Sequence, residues 1–164
     1  MHDAAWAYVS DTVARRDLDG GDILDLGGRD VNGTTRALFP RANVYITVDI
    51  EPHPSVDYVA DAGDLELDDR FDVVVSTECL EHTKRAPDIV RSAWRHLRDG
   101  GVFVATMAGE GREPHSAAGG PVGDEYYHNV SSDELGEWLE AAGFDDWTVD
   151  VAGTDIRCIA VRGV

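Results

Sequence analysis

An apolar run that ends in an acid and a glycine-rich turn lies close to the start of the chain. Residues 23–33 read Ile-Leu-Asp-Leu-Gly-Gly-Arg-Asp-Val-Asn-Gly. This pattern is typical of a first strand that leads into a helix in nucleotide-binding α/β domains, where glycine lets the backbone turn and approach a ligand closely. A second apolar run ends at Asp49, an acid that can accept hydrogen bonds from both hydroxyls of a ribose. Together the two features predict a nucleotide-like ligand.

Strand-like and helix-like patterns alternate along the 164 residues, which favours one α/β domain over residues 1–164 with a mainly parallel sheet. The segment 109–130 is rich in glycine and has no periodicity, so we interpret it as a mobile loop. Strands are predicted at residues 22–26, 44–49, 56–60, 71–76, 102–107, 147–151 and 156–161. Helices are predicted in the N-terminal segment 1–20, at 33–39, at 87–98 with Gly100-Gly101 ending it, and from a capping box at Ser131 to Gly143.

Five motifs follow one another in an order that is more specific than the glycine-rich turn alone. They are Asp25-Leu26-Gly27, Asp49, Asp61-Ala62, residues 71–82 and residues 97–101. The set resembles the class I S-adenosylmethionine (SAM) methyltransferases, of the small single-domain type found in bacteria and bacteriophages. The family's turn usually carries two further glycines, where this chain has Arg29 and Val31. The resemblance implies a Rossmann-like, seven-stranded, mostly parallel sheet in the order 3-2-1-4-5-7-6, with strand 7 antiparallel and helices on both faces.

A SAM cofactor follows from this resemblance, with S-adenosylhomocysteine (SAH) as its product. Acids suit the amine and the ribose hydroxyls of SAM, an apolar side chain suits the adenine face, and Glu78 would lie beside the methionine part. Asp49 and Asp61 also have plainer interpretations, as a solvated acid at a strand end and as part of an ordinary turn. The expected cofactor contacts are Asp25, Gly27, Gly28, Asp49, Ile50, Asp61, Ala62 and Glu78.

His82 is the expected catalytic base of this site. Methyl transfer requires positioning of the two reactants and, for a poor nucleophile, removal of a proton. His82 follows the fourth predicted strand, and Glu81 stands beside it as a second candidate catalytic residue. A structural or capping histidine is the alternative interpretation of His82.

The segment Glu-x-x-Glu-His at residues 78–82 also resembles the metal-binding segment of ubiquinone-pathway O-methyltransferases and of small-RNA terminal 2′-O-methyltransferases. In those enzymes a divalent ion binds the acceptor oxygens. The corresponding ligands here are Glu78, Glu81 and His82, completed by His128 or His115. Mixed oxygen and nitrogen donors suit Mg²⁺ or Mn²⁺. Because the same segment occurs in class I enzymes without a metal, we expect a metal-free site and keep the divalent ion as the alternative.

The methyl acceptor is expected against the loop 109–130, which lies where the family usually covers its substrate. Tyr126 and Tyr127 in this loop suit a small-molecule or sugar-like acceptor methylated on oxygen or nitrogen, and they equally suit anchoring of the loop. Two other classes stay open: a non-catalytic protein that binds SAM or a nucleotide, and an NAD-dependent oxidoreductase on the same plan. The altered glycine-rich turn and the Glu-x-x-Glu-His segment count against the oxidoreductase.

The net charge of −18 is the most unusual bulk property of the chain. Such an acidic surface repels nucleic acid and anionic membranes, so neither is an expected partner. No run is apolar enough to span a membrane and no secretory signal is evident, so we expect a cytoplasmic protein.

Cys79 and Cys158 lie in apolar runs and are expected to be buried thiols. The oligomeric state stays open.

The basic residues are thirteen arginines and the single Lys84, a bias that fits either adaptation to high salt or the drift of a GC-rich genome. Under adaptation to salt, molar KCl screens the repulsion between like charges, so the melting temperature should rise by many degrees above its value in dilute buffer. Thermal unfolding followed by circular dichroism in both buffers measures this shift. A melting temperature that does not respond to salt would assign the composition to genome bias.

Overall fold

The computed structural model describes residues 3–164, and residues 1–2 of the expected N-terminal segment lie outside this range. Its seven-stranded sheet has the order β3-β2-β1-β4-β5-β7-β6, with β7 antiparallel to both neighbours, so the expected architecture is confirmed. The strands are β1 Gly20–Leu26, β2 Arg41–Asp49, β3 Tyr58–Val59, β4 Phe71–Thr77, β5 Leu97–Ala108, β6 Asp146–Ala152 and β7 Asp155–Val161. The described α-helices are α1 Asp3–Arg16, α2 Ala86–His96 and α3 Ser132–Ala142, with 3₁₀ turns at Thr35–Leu38 and Leu80–His82. Among these helices, none has the length and apolarity that a membrane crossing requires.

Strand β4 lies at the centre of the sheet because its apolar run is buried on both faces. Val73, Val74 and Val75 are at most 1% exposed, as expected for a parallel strand covered on both sides. In register, Leu24 of β1 pairs with Val74 of β4 on one side and with Ile46 of β2 on the other. The chain therefore leaves β1 first towards β2 and later returns to β4. Such a switch point opens a crevice at the carboxyl ends of the strands.

Two apolar layers hold the sheet in place. On one face, α2 and α3 cover a core in which the rings of Phe103 and Phe144 stack with their centroids 5.9 Å apart. On the other face, Val9 and Val13 of α1 pack in a second cluster that includes Phe39. Full burial of each such side chain contributes about 1.5–3 kcal/mol to the free energy of folding. Both layers hold the strands in place. The carboxyl ends of the strands, where the crevice opens, therefore have defined positions.

Three elements near the start of the chain are shorter than the sequence predicts. The N-terminal helix ends at Arg16 rather than near residue 20, because Asp17 adopts a φ of 54° and Gly20 already belongs to β1. The helix predicted at 33–39 is one 3₁₀ turn, Thr35–Leu38. The third strand is reduced to Tyr58–Val59. These short connections leave the glycine-rich turn with few covering residues.

The boundary between α2 and β5 was predicted wrongly. The helix ends at His96, and Leu97 already has extended backbone angles and begins β5. Gly100 and Gly101 therefore lie inside the strand instead of ending the helix. The pairing with β4 shifts register between Leu97 and Val102, and Gly100 takes a φ of 77° within this irregular stretch. Glycine serves here as the pivot of a bulge.

The segment 109–130 contains no helix or strand, which agrees with its glycine-rich sequence. Its end is attached to the carboxyl edge of the sheet by main-chain hydrogen bonds. The N–H of His128 donates to the carbonyl of Glu81, and the N–H of Val130 donates to the carbonyl of Ala108, both at 2.9 Å. The loop therefore lies against the turn after β4 and the end of β5, where the crevice opens.

Candidate active site

A cavity of about 730 Å³ opens at the carboxyl edge of the sheet, where β1 and β4 separate. Its wall is formed by the glycine-rich turn, by the turn after β4 and by part of the loop 109–130. His82 and His115 also line the cavity, whereas Glu81 and His128 are not part of its described lining. All the expected cofactor contacts line it: Asp25, Gly27, Gly28, Asp49, Ile50, Asp61, Ala62 and Glu78.

Two glycines let the turn after β1 pass close to its neighbours. Gly27 has a φ of 76°, and a Cβ at this position would overlap the sulfur of Cys79. A Cβ at Gly28 would overlap the carboxylate of Asp25. The N–H groups of Gly27 and Gly28 both donate to the carbonyl of Val48, at 2.8 and 3.2 Å. Glycine is therefore required by sterics at both positions, and the turn is held against β2.

Cys79 has a structural position under this turn. Both cysteines are free; Cys158 is buried as expected, whereas Cys79 is half-buried. Burial raises the pKa of the Cys79 thiol to about 12, so it is protonated and a poor nucleophile near neutral pH. Its role is to pack against the glycine-rich turn.

Asp25 is a buried acid with one oxygen left for a ligand. Its Oδ2 accepts hydrogen bonds from the Tyr45 hydroxyl at 2.6 Å and from the Thr35 hydroxyl at 3.3 Å. Its Oδ1 is buried and has no hydrogen-bond partner in the described chain. Burial raises the pKa of Asp25 to about 6, and the two hydroxyl donors partly offset that rise. The supporting role of Tyr45 and Thr35 has no sequence signal, because it depends on how the turn folds back.

Asp49 lies at the end of β2 and organises the turn opposite it. Its Oδ2 accepts a hydrogen bond from the N–H of Arg29 at 3.2 Å, and its Oδ1 accepts one from the N–H of Glu51 at 2.9 Å. A carboxylate oxygen can accept a further hydrogen bond, so both oxygens retain capacity for a ribose diol. Ile50 beside it is 66% exposed, an apolar side chain that a flat ring can cover.

Asp61 is bound by a charged side chain of the protein, whereas Asp49 is bound by backbone N–H groups alone in the described chain. Its Oδ1 accepts a hydrogen bond from the N–H of Gly63 at 2.8 Å, and its Oδ2 pairs with Arg85 at 3.0 Å. Both the turn interpretation and the cavity position therefore hold for this residue. Ala62 next to it is buried and also lines the cavity.

Glu78 adopts a left-handed backbone conformation, with a φ of 51°. Such a conformation is unusual for a residue other than glycine and marks a functional constraint when it occurs at a cleft. The Glu78 carboxylate accepts a hydrogen bond from the Thr106 hydroxyl at 3.2 Å and pairs with Arg112 at 3.5 Å. Arg112 also pairs with Asp155. The predictions did not include Arg112, which ties the loop 109–130 to the turn after β4 and to the start of β7.

His82, His115 and Tyr127 form a cluster of three rings, of which His82 and His115 line the cavity. Their ring centroids are 5.1 to 5.5 Å apart, in edge-to-face contacts. The Nδ1 of His82 and the hydroxyl of Tyr127 are buried without a hydrogen-bond partner in the described chain. Burial, and then the nearby His115, lower the pKa of His82 to about 4. The imidazole is therefore neutral at physiological pH.

Glu81 is fully buried beneath this cluster. Its Oε1 accepts a hydrogen bond from the N–H of Ala108 at 3.1 Å, and its Oε2 has no partner in the described chain. Burial raises the pKa of Glu81 above its usual range, and the charge of Glu78 raises it further. An acid in this environment takes up a proton, or binds a cation, more readily than an ordinary glutamate.

The structure brings together three of the predicted metal ligands and leaves out Glu78 and His128. One ligand atom each of Glu81, His82 and His115 lie within 4.8 Å of one another. His128 is instead paired with Glu134 at 2.9 Å, and Glu78 is bound by Arg112 and Thr106. One carboxylate and two imidazoles, with an unpartnered Glu81 oxygen and His82 nitrogen, fit a divalent transition metal better than a hard oxygen-only ion.

A family described as a methyltransferase domain matches residues 3–149. The ubiquinone biosynthesis O-methyltransferase of Pseudomonas savastanoi pv. phaseolicola is 30% identical, with 87% of this chain and 72% of that protein covered. The Burkholderia thailandensis 1,6-didemethyltoxoflavin-N1-methyltransferase, solved with 1,6-didemethyltoxoflavin and SAH, has a TM-score of 0.71 at 19% identity, covering 98% of this chain and 79% of that chain. The [4+2]-cyclase SpnF has the same TM-score and identity, with 96% and 81% covered. These two structural likenesses show the fold, which does not by itself fix a reaction.

The unpartnered oxygen of Asp25 predicts that SAH binding depends on pH. The carboxyl group must be ionised to hold the ammonium group of SAH, and its pKa is about 6 in the free protein. Affinity should therefore fall as the pH drops below that value, by up to about tenfold per pH unit. Titration calorimetry between mildly acidic and neutral pH measures this dependence.

The variant for this test is Asp25→Asn, which keeps an acceptor for Tyr45 but removes the titrating charge. Its SAH affinity should be weaker at neutral pH and nearly flat across the range. Asp22→Asn, at the opposite end of β1, is the matched control and should follow the wild type. Parallel pH profiles for wild type and Asp25→Asn would show that Asp25 does not hold the ammonium group.

Proposed function

The chain belongs to the methyltransferase-domain family, and we propose that it transfers the methyl group of SAM to an oxygen or nitrogen of a small molecule. One observation carries the proposal. The buried, unpartnered Oδ1 of Asp25 and the carboxylate of Asp49 line one cavity on either side of a turn in which only glycine fits. The Asp25 oxygen can accept a hydrogen bond from the amine of SAM, and the Asp49 carboxylate can accept hydrogen bonds from its ribose hydroxyls. The family match favours methyl transfer over the NAD-dependent oxidoreductase that the same plan allows.

The cofactor is proposed to lie along the glycine-rich turn. Asp25 binds its amine, the N–H and C=O groups near Gly27 and Gly28 approach its methionine part, and Asp49 binds its ribose. The exposed Ile50 packs on the adenine ring. Asp61 and Ala62 lie at the adenine edge, where the pairing of Asp61 with Arg85 leaves it a smaller share of the binding. Glu78 lies beside the sulfonium end, and its negative charge suits a cationic donor.

The acceptor is proposed to lie between the loop 109–130 and the ring cluster of His82, His115 and Tyr127. The cavity falls within the range of about 300–1,000 Å³ typical of small-ligand sites. The buried hydroxyl and imidazole nitrogen there have no protein partner, so they suit a small acceptor with a hydroxyl or amine. The relative's name, an O-methyltransferase of ubiquinone biosynthesis, supports methylation of an oxygen. The net charge of −18 disfavours a nucleic-acid substrate, and two free thiols suit the cytoplasm.

The chemical step is an in-line displacement at the methyl carbon. The bond from that carbon to the sulfonium sulfur breaks while the bond to the acceptor oxygen or nitrogen forms, and SAH leaves. The acceptor proton passes to the neutral imidazole of His82, at its buried Nδ1. Because the pKa of His82 is low, it holds the proton weakly and releases it to solvent. Glu81, whose raised pKa favours the protonated acid, can take the proton only while it is ionised. Positioning within the cavity supplies the remainder of the rate enhancement.

A divalent ion offers a second way to activate the same acceptor. Glu81, His82 and His115 would hold it, and it would act as a Lewis acid that lowers the pKa of a bound hydroxyl. The two possibilities exclude each other at one atom, since a His82 nitrogen that binds a metal cannot accept a proton. We retain the metal-free route as the expected one.

Methyl transfer from tritiated SAM to a panel of small phenols and amines, with and without EDTA, tests this proposal. His82→Ala should lower the rate by about a hundredfold to ten-thousandfold, the usual contribution of a general base. EDTA should have no effect on the wild type. His128→Ala, which removes a histidine outside the cluster, is the matched control and should keep its activity.

Three other outcomes would each contradict a different part of the proposal. Loss of wild-type activity in EDTA, restored by Mn²⁺ in wild type but not in His115→Ala, would replace the base with a metal. Full activity of His82→Ala in both conditions would leave positioning as the only catalytic device. SAH binding without turnover of any acceptor would favour the non-catalytic alternative.

A further inference from the structure

Arg29 is the arginine of the cavity whose side chain forms no ion pair with a described acid. Among residues 3–164, two arginines line the cavity, Arg29 and Arg112. Arg112 pairs with Glu78 and with Asp155. The Nε of Arg29 is buried without a hydrogen-bond partner, which is unfavourable for a donor. Arg95 and Arg157 also leave a buried Nε unpartnered, but of these three arginines Arg29 is the one that lines the cavity, and this position points to a ligand.

Glu125 is an acid of the loop 109–130 whose charge interacts with that of Arg29, and it also lines the cavity. One of its oxygens accepts a hydrogen bond from the Ser116 hydroxyl at 2.7 Å and the other from the N–H of Ala117 at 3.1 Å. These hydrogen bonds lower the pKa of Glu125, and the charge of Arg29 contributes a smaller part. Glu125 is therefore held by its own loop and does not bond the buried Nε of Arg29.

The backbone around Arg29 is fixed even though its side chain is unpaired. The N–H of Arg29 donates to Asp49 at 3.2 Å, and its carbonyl accepts from the N–H of Val31 at 3.0 Å. The N–H of Asp30 donates to the Ser55 hydroxyl at 3.1 Å. The turn therefore holds the backbone of Arg29 in a defined position. The family's turn usually has a glycine here, which has no side chain, whereas Arg29 adds a long cationic one.

An anionic ligand in this cavity needs a cation, because six acids line the wall and would repel a carboxylate or phosphate. An arginine fork can bind either group through two parallel N–H bonds. The acids of the lining are Asp25, Asp49, Glu51, Asp61, Glu78 and Glu125.

We propose that Arg29 is the anion-binding residue of the cleft and that its guanidinium holds a carboxylate during methyl transfer. The proposal rests on the proposed function, because it assigns a part of the same site. Two sources supply this chemistry: the carboxylate of the cofactor's amino-acid end and an acidic group on the acceptor. Arg29 is then a positioning residue, since it fixes a reactant by an end that does not react.

Three variants test the assignment: Arg29→Gln, which removes the charge, Arg29→Lys, which keeps it, and Arg16→Gln, which removes an exposed arginine from the end of α1 as the matched control. In the first arm, titration calorimetry compares SAH with 5′-methylthioadenosine, which lacks the amino-acid end. In the second arm, the melting temperature of the SAH-saturated protein is recorded with benzoate and with its neutral analogue benzamide.

If the cofactor supplies the carboxylate, Arg29→Gln binds SAH about tenfold to a hundredfold more weakly than wild type and binds methylthioadenosine equally well. If the acceptor supplies it, SAH binding is unchanged and the stabilisation by benzoate disappears, while benzamide has no effect in either protein. Arg29→Lys should recover part of the loss in either case. Arg16→Gln should match the wild type throughout.

Stability without ligand gives an independent readout. Because the Arg29 guanidinium lacks a partner in the free protein, Arg29→Gln should melt at the wild-type temperature or above it. A lower melting temperature of the free variant would assign Arg29 a structural role and overturn the proposal. Unchanged binding of both SAH and benzoate would also overturn it. A wild type that binds no SAH would contradict the proposed function, while the benzoate arm, run without SAH, still decides the role of Arg29.

Discussion

The close approach of Gly27 to Cys79 is the constraint on which the rest of the site depends. At this point the turn after β1 passes the turn after β4 with no room for a side chain. Because the two turns touch here, the carboxyl ends of the strands diverge just beyond them, and Asp25 is buried under Gly28 with one oxygen free. A bulkier residue at Gly27 would separate the turns and change the cavity before it touched any ligand.

Five of the nine buried side-chain atoms that lack a hydrogen-bond partner among the described residues belong to the site. Asp25 Oδ1, Arg29 Nε, Glu81 Oε2, His82 Nδ1 and the Tyr127 hydroxyl are all buried without a described partner, and all belong to this edge of the sheet or the loop that covers it. Each costs stability in the free protein, because buried polar groups normally find partners. The valine-rich centre of the sheet and its two apolar layers supply the stability that tolerates them. The middle of the strands thus stabilises the fold, and the ends of the strands carry the groups that bind a ligand.

The strand order and the acids at the strand ends could be predicted from the sequence, because local periodicity and an ordered set of motifs encode them. The residues expected to contact the cofactor all line the cavity. The end of α2 was not predicted, since Gly100 can terminate a helix or form a bulge. Of the two histidines offered to complete a metal site, His115 lies beside His82, whereas His128 pairs with Glu134 at the start of α3. Long-range packing decides such choices: the His82 and His115 rings meet because the loop folds back, which no local pattern encodes.

A crystal structure of the protein with saturating SAH would show whether the cavity is the cofactor site. We expect the SAH amine within hydrogen-bonding distance of Asp25 Oδ1 and the ribose hydroxyls on the Asp49 carboxylate. We also expect the sulfur of SAH to point towards the cluster of His82, His115 and Tyr127. SAH bound away from Asp25 and Asp49, or a crevice that stays empty at saturating SAH, would show that these acids do not form the cofactor site.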